Sequence, residues 1–228
     1  MTTTVFTRAR WAAGFATVLT GIAMLVYPGG TALDPSSRGY SFFQNFFSDL
    51  GSTVAYDGRP NSLGSSLFAV SLGILVLAFG GCLAAFVKLY SGSPVSRFLA
   101  RAAGVTAVLV CVSFIGVALT PENRFIALHV QFTRLAFRAF PLVALLLTLA
   151  TARNHSIPRR AAVGWVVLTI VLVGYVAVMD WGPRLTTERG LTIQVAAQKI
   201  VAVAAVVILV YQCYEADRVG ARLEQAAT

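Results

Sequence analysis

Charged residues are scarce in this 228-residue sequence: they make up only 12% of it, whereas 57% of the residues are hydrophobic and the mean hydropathy is +0.76. Soluble domains carry roughly twice that charged fraction. A water-soluble globule this small could not hide so much apolar surface, because small domains bury too little of their area. The scarcity of charge therefore indicates one integral membrane domain over residues 1–228, since a bilayer is itself an apolar solvent.

Cysteine and histidine are also few, and their positions limit the chemistry open to the chain. Cys82, Cys111 and Cys213 all fall inside apolar runs rather than in loops that would face an oxidising compartment, so we expect no disulfide framework. His129 and His155 are predicted on opposite sides of the membrane, so they cannot jointly ligate a haem or a metal ion. We therefore expect no cofactor and no metal site.

Acidic residues are half as numerous as basic ones, nine against eighteen, and the formal net charge is +9. In a soluble protein this excess would suggest nucleic acid as a partner. Here the basic residues lie in short loops between apolar runs, where the positive-inside rule expects them. We therefore interpret the excess as a determinant of topology and expect no nucleic-acid partner.

Six apolar stretches approach or reach the roughly 20 residues that a bilayer-spanning helix requires. They cover residues 11–27, 65–87, 102–119, 128–150, 161–179 and 191–213. Arg8 and Arg10 precede the first stretch, as in a signal peptide, but its apolar run is longer than usual and no convincing cleavage site follows it. The sequence therefore predicts an all-α, polytopic transmembrane bundle of about six spans.

Basic residues are distributed unevenly between alternate loops. The N-terminus, the second and fourth loops and the C-terminus are rich in arginine, whereas acidic residues balance the basic ones in the first, third and fifth loops. The positive-inside rule places the arginine-rich side in the cytoplasm. We therefore predict a multi-pass protein of the cell membrane with both termini cytoplasmic.

The longest predicted outer loop, residues 28–63, contains the run Ser41-Phe-Phe-Gln-Asn-Phe-Phe-Ser-Asp-Leu-Gly51. Its phenylalanines recur at three- and four-residue spacing, which predicts a short amphipathic helix in the membrane interface, ended by Gly51. Asn45 and Asp49 are four residues apart and share one face of this helix. An interfacial cap that closes the bundle is one interpretation of the segment, and a functional role is the other.

Three basic residues lie inside the predicted spans: Arg134, Arg138 and Lys199. Charged side chains in the hydrocarbon region are energetically unfavourable, so their presence indicates a functional site. With about 1.5 Å of rise per residue, Arg138 and Lys199 lie roughly 20 and 22 Å from the cytoplasmic ends of their helices, at one depth. Gln131 lies near the face of Arg134 and Arg138, whereas Lys199 projects away from Gln198 on its own helix.

These cations need counter-charge, for which Asp49, Asp180 and Glu122 are the candidates. If the acids pair with the cations, the group is a structural ion-pair network. If one cation is left over, it can hold an anion such as a lipid phosphate, and snorkelling of an arginine to the interface is a third possibility. The predicted ligand-binding cluster comprises Arg134, Arg138, Lys199, Asp49, Asp180 and Gln131.

Catalytic motifs are not evident in the sequence. Hydrolysis would need a serine near His129, and Ser48 and the segment Gly64-Ser65-Ser66 are the candidates, but a serine near a helix start is usually a cap. We therefore assign no catalytic residue and favour recognition of an anionic ligand or lipid headgroup from the outer side, with membrane lipids as partners. The alternatives are a small proton-linked transporter, which would use Lys199 and a carboxylate, and an outer-leaflet lipid-modifying enzyme.

Three short motifs resemble those of a known group of proteins. The run ending Phe-Phe-Ser-Asp-Leu-Gly51 is followed by Asn61-Ser-Leu-Gly-Ser-Ser-Leu-Phe68 at the second span, and Thr120-Pro-Glu precedes His129. The chain resembles the six-span prokaryotic membrane protein family catalogued as domain of unknown function nine-nine-eight. The likeness covers nearly the whole chain and implies the same topology, but it implies no catalytic residue.

Overall fold

Six long α-helices make up most of the computed structural model, which describes residues 2–90, 93–154 and 157–225; His155 lies outside these ranges. The helices are α1 (Thr2–Val26), α2 (Ser62–Val87), α3 (Pro94–Leu119), α4 (Glu122–Ala152), α5 (Arg159–Trp181) and α6 (Glu188–Gln225). All six are long and apolar enough to cross a membrane. The predicted all-α bundle of six spans is therefore confirmed.

The helices extend beyond the apolar runs that predicted them. Residues 191–213 mark only the apolar part of α6, which continues through good helix formers such as alanine, glutamate and arginine to Gln225. At the start of α3, Pro94 occupies the first turn, and the Ser93 side chain accepts a hydrogen bond from the Ser96 N–H. Hydropathy thus finds the hydrocarbon section of each helix, and capping and helix propensity set its ends.

The six helices form a closed ring in chain order, in which each helix packs on the next and α6 returns to α1. Arg10 closes the ring: it donates to the Asp217 carboxylate at 2.5 Å and lies 4.1 Å from the centroid of the Tyr214 ring. Because the number of spans is even, α1 begins and α6 ends on one side, which we name the termini side. The opposite side carries the long connection from α1 to α2 and is named the loop side.

The main apolar core fills the termini-side half of the ring. Phe86 at the end of α2 lies against Tyr90 and against Trp165 of α5, with ring centroids 5.3 and 5.7 Å apart. Leu147 of α4 and Leu168 of α5 are almost fully buried in the same cluster. This half of the bundle is therefore closely packed with aromatic and aliphatic side chains.

The connection between α1 and α2, residues 27–61, folds over the loop side of the ring, and we name it the cap. Its helical part is a four-residue 3₁₀ helix, Ser48–Gly51, so the predicted helix does end at Gly51 but is much shorter than the phenylalanine spacing indicated. An α-helix would need the Asn45 carbonyl to accept the Asp49 N–H. That carbonyl instead accepts Lys199 Nζ at 2.7 Å, and the Asp49 N–H bonds to the Phe46 carbonyl at 3.3 Å. Tertiary hydrogen bonds therefore replace the helical ones.

Polar side chains hold the cap in shape. Asn45 Nδ2 donates to the Gly30 carbonyl at 3.0 Å, and Asn61 Nδ2 donates to the carbonyls of Leu50 and Ser52 at 3.0 and 2.9 Å. Gly30 has φ +84°, and a Cβ at this position would collide with Tyr56. The cap is therefore a defined structure that fixes the side chains it presents to the ring.

Candidate functional site

Lys199 of α6 is the intramembrane cation that lies directly beneath the cap. Its Nζ donates to the Tyr40 hydroxyl at 2.5 Å and to the Asn45 carbonyl at 2.7 Å, and it lies 4.0 Å from the centroid of the Phe47 ring. The residue is only 4% exposed. None of the ion pairs found in the described ranges includes Lys199. Neutral oxygens and aromatic faces therefore hold this charge.

Asp49 lies in the 3₁₀ helix of the cap and is 1% exposed. Its Oδ2 accepts from Asn45 Nδ2 at 3.1 Å and from the Phe46 N–H at 2.9 Å, whereas its Oδ1 has no hydrogen-bond partner in the described part of the chain. Burial, and after it the charge of Glu122, raises the pKa of Asp49 from 3.8 to about 7, although Lys199 opposes the rise. Asp49 and Lys199 are thus two members of the predicted cluster that lie within electrostatic range of each other.

Arg138 and Asp180 form a separate pair between α4 and α5. Arg138 Nη2 and Nε donate to the two carboxylate oxygens of Asp180 at 2.9 and 3.2 Å, which is a bidentate arrangement. The Arg138 side chain is 54% exposed and that of Asp180 is 16% exposed. The cation thus already has its own carboxylate at the surface of the bundle.

Arg134 and Gln131 are exposed on α4, and neither side chain forms a hydrogen bond or an ion pair within the described ranges. The predicted cluster therefore divides into an inner group beneath the cap, a surface pair between α4 and α5, and two exposed side chains. Equal depth did not bring Arg138 and Lys199 together, because α4 and α6 both flank α5 and are not neighbours in the ring.

A cavity of about 420 Å³ lies beneath the cap, inside the loop-side half of the ring. Five of the six helices and the cap contribute to its wall, which is mainly apolar. Its polar lining residues are Thr17, Thr20, Ser48, Ser71, Thr133 and Gln198. A cavity of this size and character is typical of small-ligand sites.

The cavity opens sideways between α1 and α6. The exposed residues of its lining are Thr17 of α1 and Val203 and Val207 of α6, the two valines by 56% and 59%. On the termini side, α1 and α6 are joined by the ion pair of Arg10 and Asp217. The two helices leave an opening nearer the loop side, so the cavity faces the hydrocarbon region in which a membrane lipid would lie.

His129 of α4 is buried one helical turn from Thr133, toward the loop side. Its Nδ1 lies 2.7 Å from the Thr120 carbonyl oxygen. Because a carbonyl can only accept, this contact assigns the ring proton to Nδ1, and the neutral imidazole then presents a lone pair on Nε2. Nε2 is buried and has no partner among the described residues. Sequence reasoning considered His129 as the partner of a serine in hydrolysis but did not include it in the predicted cluster, although the Thr120-Pro-Glu motif lies close before it.

Sequence reasoning also missed the partners of Lys199. Gln198 Oε1 accepts the Phe47 N–H at 2.7 Å, so Gln198 and its neighbour Lys199 both hold the cap. The prediction that Lys199 projects away from Gln198 did not anticipate that the cap folds over both side chains. The adjacent polar residues Gln198 and Lys199 in an apolar span indicated that this part of α6 has polar partners. The sequence does not show that those partners are main-chain groups of the cap.

Comparison with protein-family models, with curated proteins and with solved structures found no match to this chain. Within the described ranges, no three histidine, cysteine, aspartate or glutamate side chains are grouped so that they could hold a metal ion. The cavity and the polar groups near its loop-side end are therefore the candidate functional site.

Proposed function

We propose that the protein binds a phospholipid from the outer leaflet, with an acyl chain in the cavity and the anionic headgroup beneath the cap. The sideways opening between α1 and α6 is the observation that carries this proposal. An apolar cavity that faces the bilayer is accessible to lipid tails without passage through water. The predicted orientation, with the cap outside the cell, makes the outer leaflet the source of the lipid.

Lys199 supplies the positive charge for the lipid phosphate in this proposal. Among the three predicted intramembrane cations, it lies beneath the cap, whereas Arg134 and Arg138 lie on the outer surface of the bundle. The ring of Phe47 lines the cavity and contacts the Lys199 ammonium. A phosphate at this end of the cavity would therefore lie across one aromatic ring from a buried positive charge, where the low dielectric strengthens their attraction.

The geometry favours binding over transport. Asp49 and Lys199 would suit a proton-linked switch, but Phe86, Tyr90 and Trp165 belong to the core that fills the termini-side half of the ring. Lipid chemistry has one specific observation in its favour, the buried Nε2 lone pair of His129, which is suited to a general base. An outer-leaflet lipid-modifying enzyme is therefore the second candidate.

Gly21 offers a way to close the cavity without disturbing its wall. This residue lines the cavity on α1, and a Cβ at its position would meet no atom within 4 Å. Gly14 lies two turns earlier on the same helix, also has open space at its Cβ position, and does not line the cavity. Gly21→Leu should therefore fill the cavity, and Gly14→Leu is its matched control.

The test measures phospholipid bound to purified protein and the melting temperature in detergent with and without added phospholipid. Wild type and Gly14→Leu should retain lipid and melt at a higher temperature when it is added, because a ligand of the folded state stabilises that state. Gly21→Leu should lose both effects. Equal lipid content and equal stabilisation of the three proteins would contradict lipid binding in the cavity.

A further inference from the structure

Three buried polar atoms have no hydrogen-bond partner in the described part of the chain, namely Asp49 Oδ1, His129 Nε2 and Thr133 Oγ1, and Thr133 lines the cavity. Asp49 and His129 are 1% and 4% exposed. Buried polar atoms in folded proteins nearly always have a partner. Three such atoms in one region therefore indicate a group that the protein itself does not supply.

These atoms lie on elements that pack against each other. Thr133 lines the cavity, and His129 lies one turn further along the same face of α4. Ser48 lines the cavity from the cap, and Asp49 follows it in the 3₁₀ helix that contacts α4. Glu122, at the start of α4, is within electrostatic range of both Asp49 and His129. The region is therefore continuous with the loop-side end of the cavity.

The chemistry of this region calls for a donor of hydrogen bonds. The carboxylate oxygen and the Nε2 lone pair are acceptors, and the threonine hydroxyl can accept as well. Asp49 and Glu122 carry two negative charges when ionised, whereas Lys199 supplies one positive charge that is already held by Tyr40 and Asn45. One positive charge with about three N–H donors would complete both the charge balance and the hydrogen bonds, and a primary ammonium group has both.

We propose that Asp49, His129 and Thr133 form a subsite for the primary ammonium group of a zwitterionic phospholipid headgroup. This inference rests on the proposed function, because it adds headgroup selectivity to the lipid that occupies the cavity. A trimethylated headgroup would be bound less tightly, since it carries the same charge but has no N–H to donate. The phosphate of the same lipid lies toward Lys199.

The test compares phosphatidylethanolamine, phosphatidylcholine and phosphatidylglycerol with identical acyl chains, each titrated against purified wild-type protein and detected by native mass spectrometry. Wild type should bind the ethanolamine lipid about tenfold or more tightly than the choline lipid, which is the order expected for hydrogen bonds to charged groups. Thr133→Val, which removes only a hydroxyl, should lower this ratio several-fold. Asp49→Asn should lower the ratio further, because the primary ammonium group loses a charged hydrogen-bond acceptor.

Thr148→Val on the same helix is the control, because Thr148 donates to the Ala144 carbonyl and does not line the cavity. Its selectivity should match that of wild type. If wild type binds the ethanolamine and choline lipids equally, the ammonium subsite does not exist, and the three polar atoms are satisfied by water or by a proton on Asp49. Lipid binding in the cavity would be unaffected by this result. If wild type prefers the glycerol lipid, the subsite recognises hydroxyl groups and the inference also fails. If none of the three lipids binds, both the ammonium subsite and the proposed lipid-binding function are contradicted.

Discussion

Lys199 Nζ donates to the main-chain carbonyl of Asn45 at 2.7 Å, a hydrogen bond between residues that are 154 positions apart. This bond joins the last helix of the ring to the cap, and it occupies the acceptor that an α-helix through the cap would have used. The same ammonium also donates to the Tyr40 hydroxyl, which itself donates to the Asn45 carbonyl. One side chain thus fixes both the fold of the cap and its position over the cavity.

The first prediction concerns this attachment. Lys199→Met should loosen the cap, because two hydrogen bonds from a buried cation are lost, each worth about 1.5–3 kcal/mol. Hydrogen exchange of the amides in residues 41–51 should accelerate tenfold or more, while exchange in α3 stays unchanged. Lys88→Met is the control, since Lys88 lies at the termini-side end of α2. Unchanged exchange in the cap would show that Lys199 does not hold it.

The second prediction concerns the pair of Arg138 and Asp180. Because this pair is bidentate, a double-mutant cycle with Arg138→Met and Asp180→Asn should show a favourable coupling energy between the two side chains. Added anionic lipid should stabilise wild type and Arg138→Met equally in thermal melts. If lipid stabilised wild type but not Arg138→Met, Arg138 would be a residue that binds the headgroup.

The third prediction is a pH dependence that originates at Asp49. The pKa of Asp49 is raised to about 7 in the folded protein, mainly by burial, so the folded state holds this proton more tightly than the unfolded state does. Its stability contribution is present below about pH 4 and is lost as the pH rises toward 7, with a total of at most about 4 kcal/mol. Asp49→Asn should remove this decline from melting curves recorded between pH 4 and 8. An identical pH profile for the variant would contradict the assignment.

The fourth prediction concerns orientation, which follows from the arginine distribution. Single cysteines introduced at Asp57 and Glu188 should react with an impermeant thiol reagent in intact cells, whereas one at Arg153, which is exposed at the end of α4, should react only after permeabilisation. The unsubstituted protein controls for its own thiols, which lie within the helices. The opposite labelling pattern would place the cap in the cytoplasm and make the inner leaflet the source of lipid.

The six spans could be predicted from sequence because hydropathy reports directly on the solvent of each segment. The pairing of charges could not, since the depth of a residue on a helix does not specify which helices are neighbours. Arg138 and Lys199 are predicted to share a depth, yet they lie on helices separated by α5. Asp180 was one of three candidate acids, and its pairing with Arg138 depends on the order of helices in the ring.

The cap and the cavity were the parts least accessible to sequence reasoning. The phenylalanine spacing predicted an amphipathic helix, but the carbonyl of Asn45 bonds across the fold to Lys199 and leaves only a 3₁₀ turn. Small or short side chains such as Gly21, Thr20 and Ser71 line the cavity on the neighbouring helices α1 and α2. Their spacing along each helix is ordinary for close helix packing, so the sequence alone does not show that they leave a space.

The position of a lipid tail in the membrane-embedded protein is the most direct test of lipid binding in the cavity. A phospholipid with a photoactivatable group in its acyl chain should, after irradiation in membranes, label cavity residues such as Phe114, Thr133 and Phe137 of the wild-type protein, as detected by peptide mass spectrometry. Gly21→Leu should abolish this labelling. Labelling confined to outward-facing residues such as Leu77 and Val105, which are each 75% exposed, would contradict the claim that the cavity binds lipid.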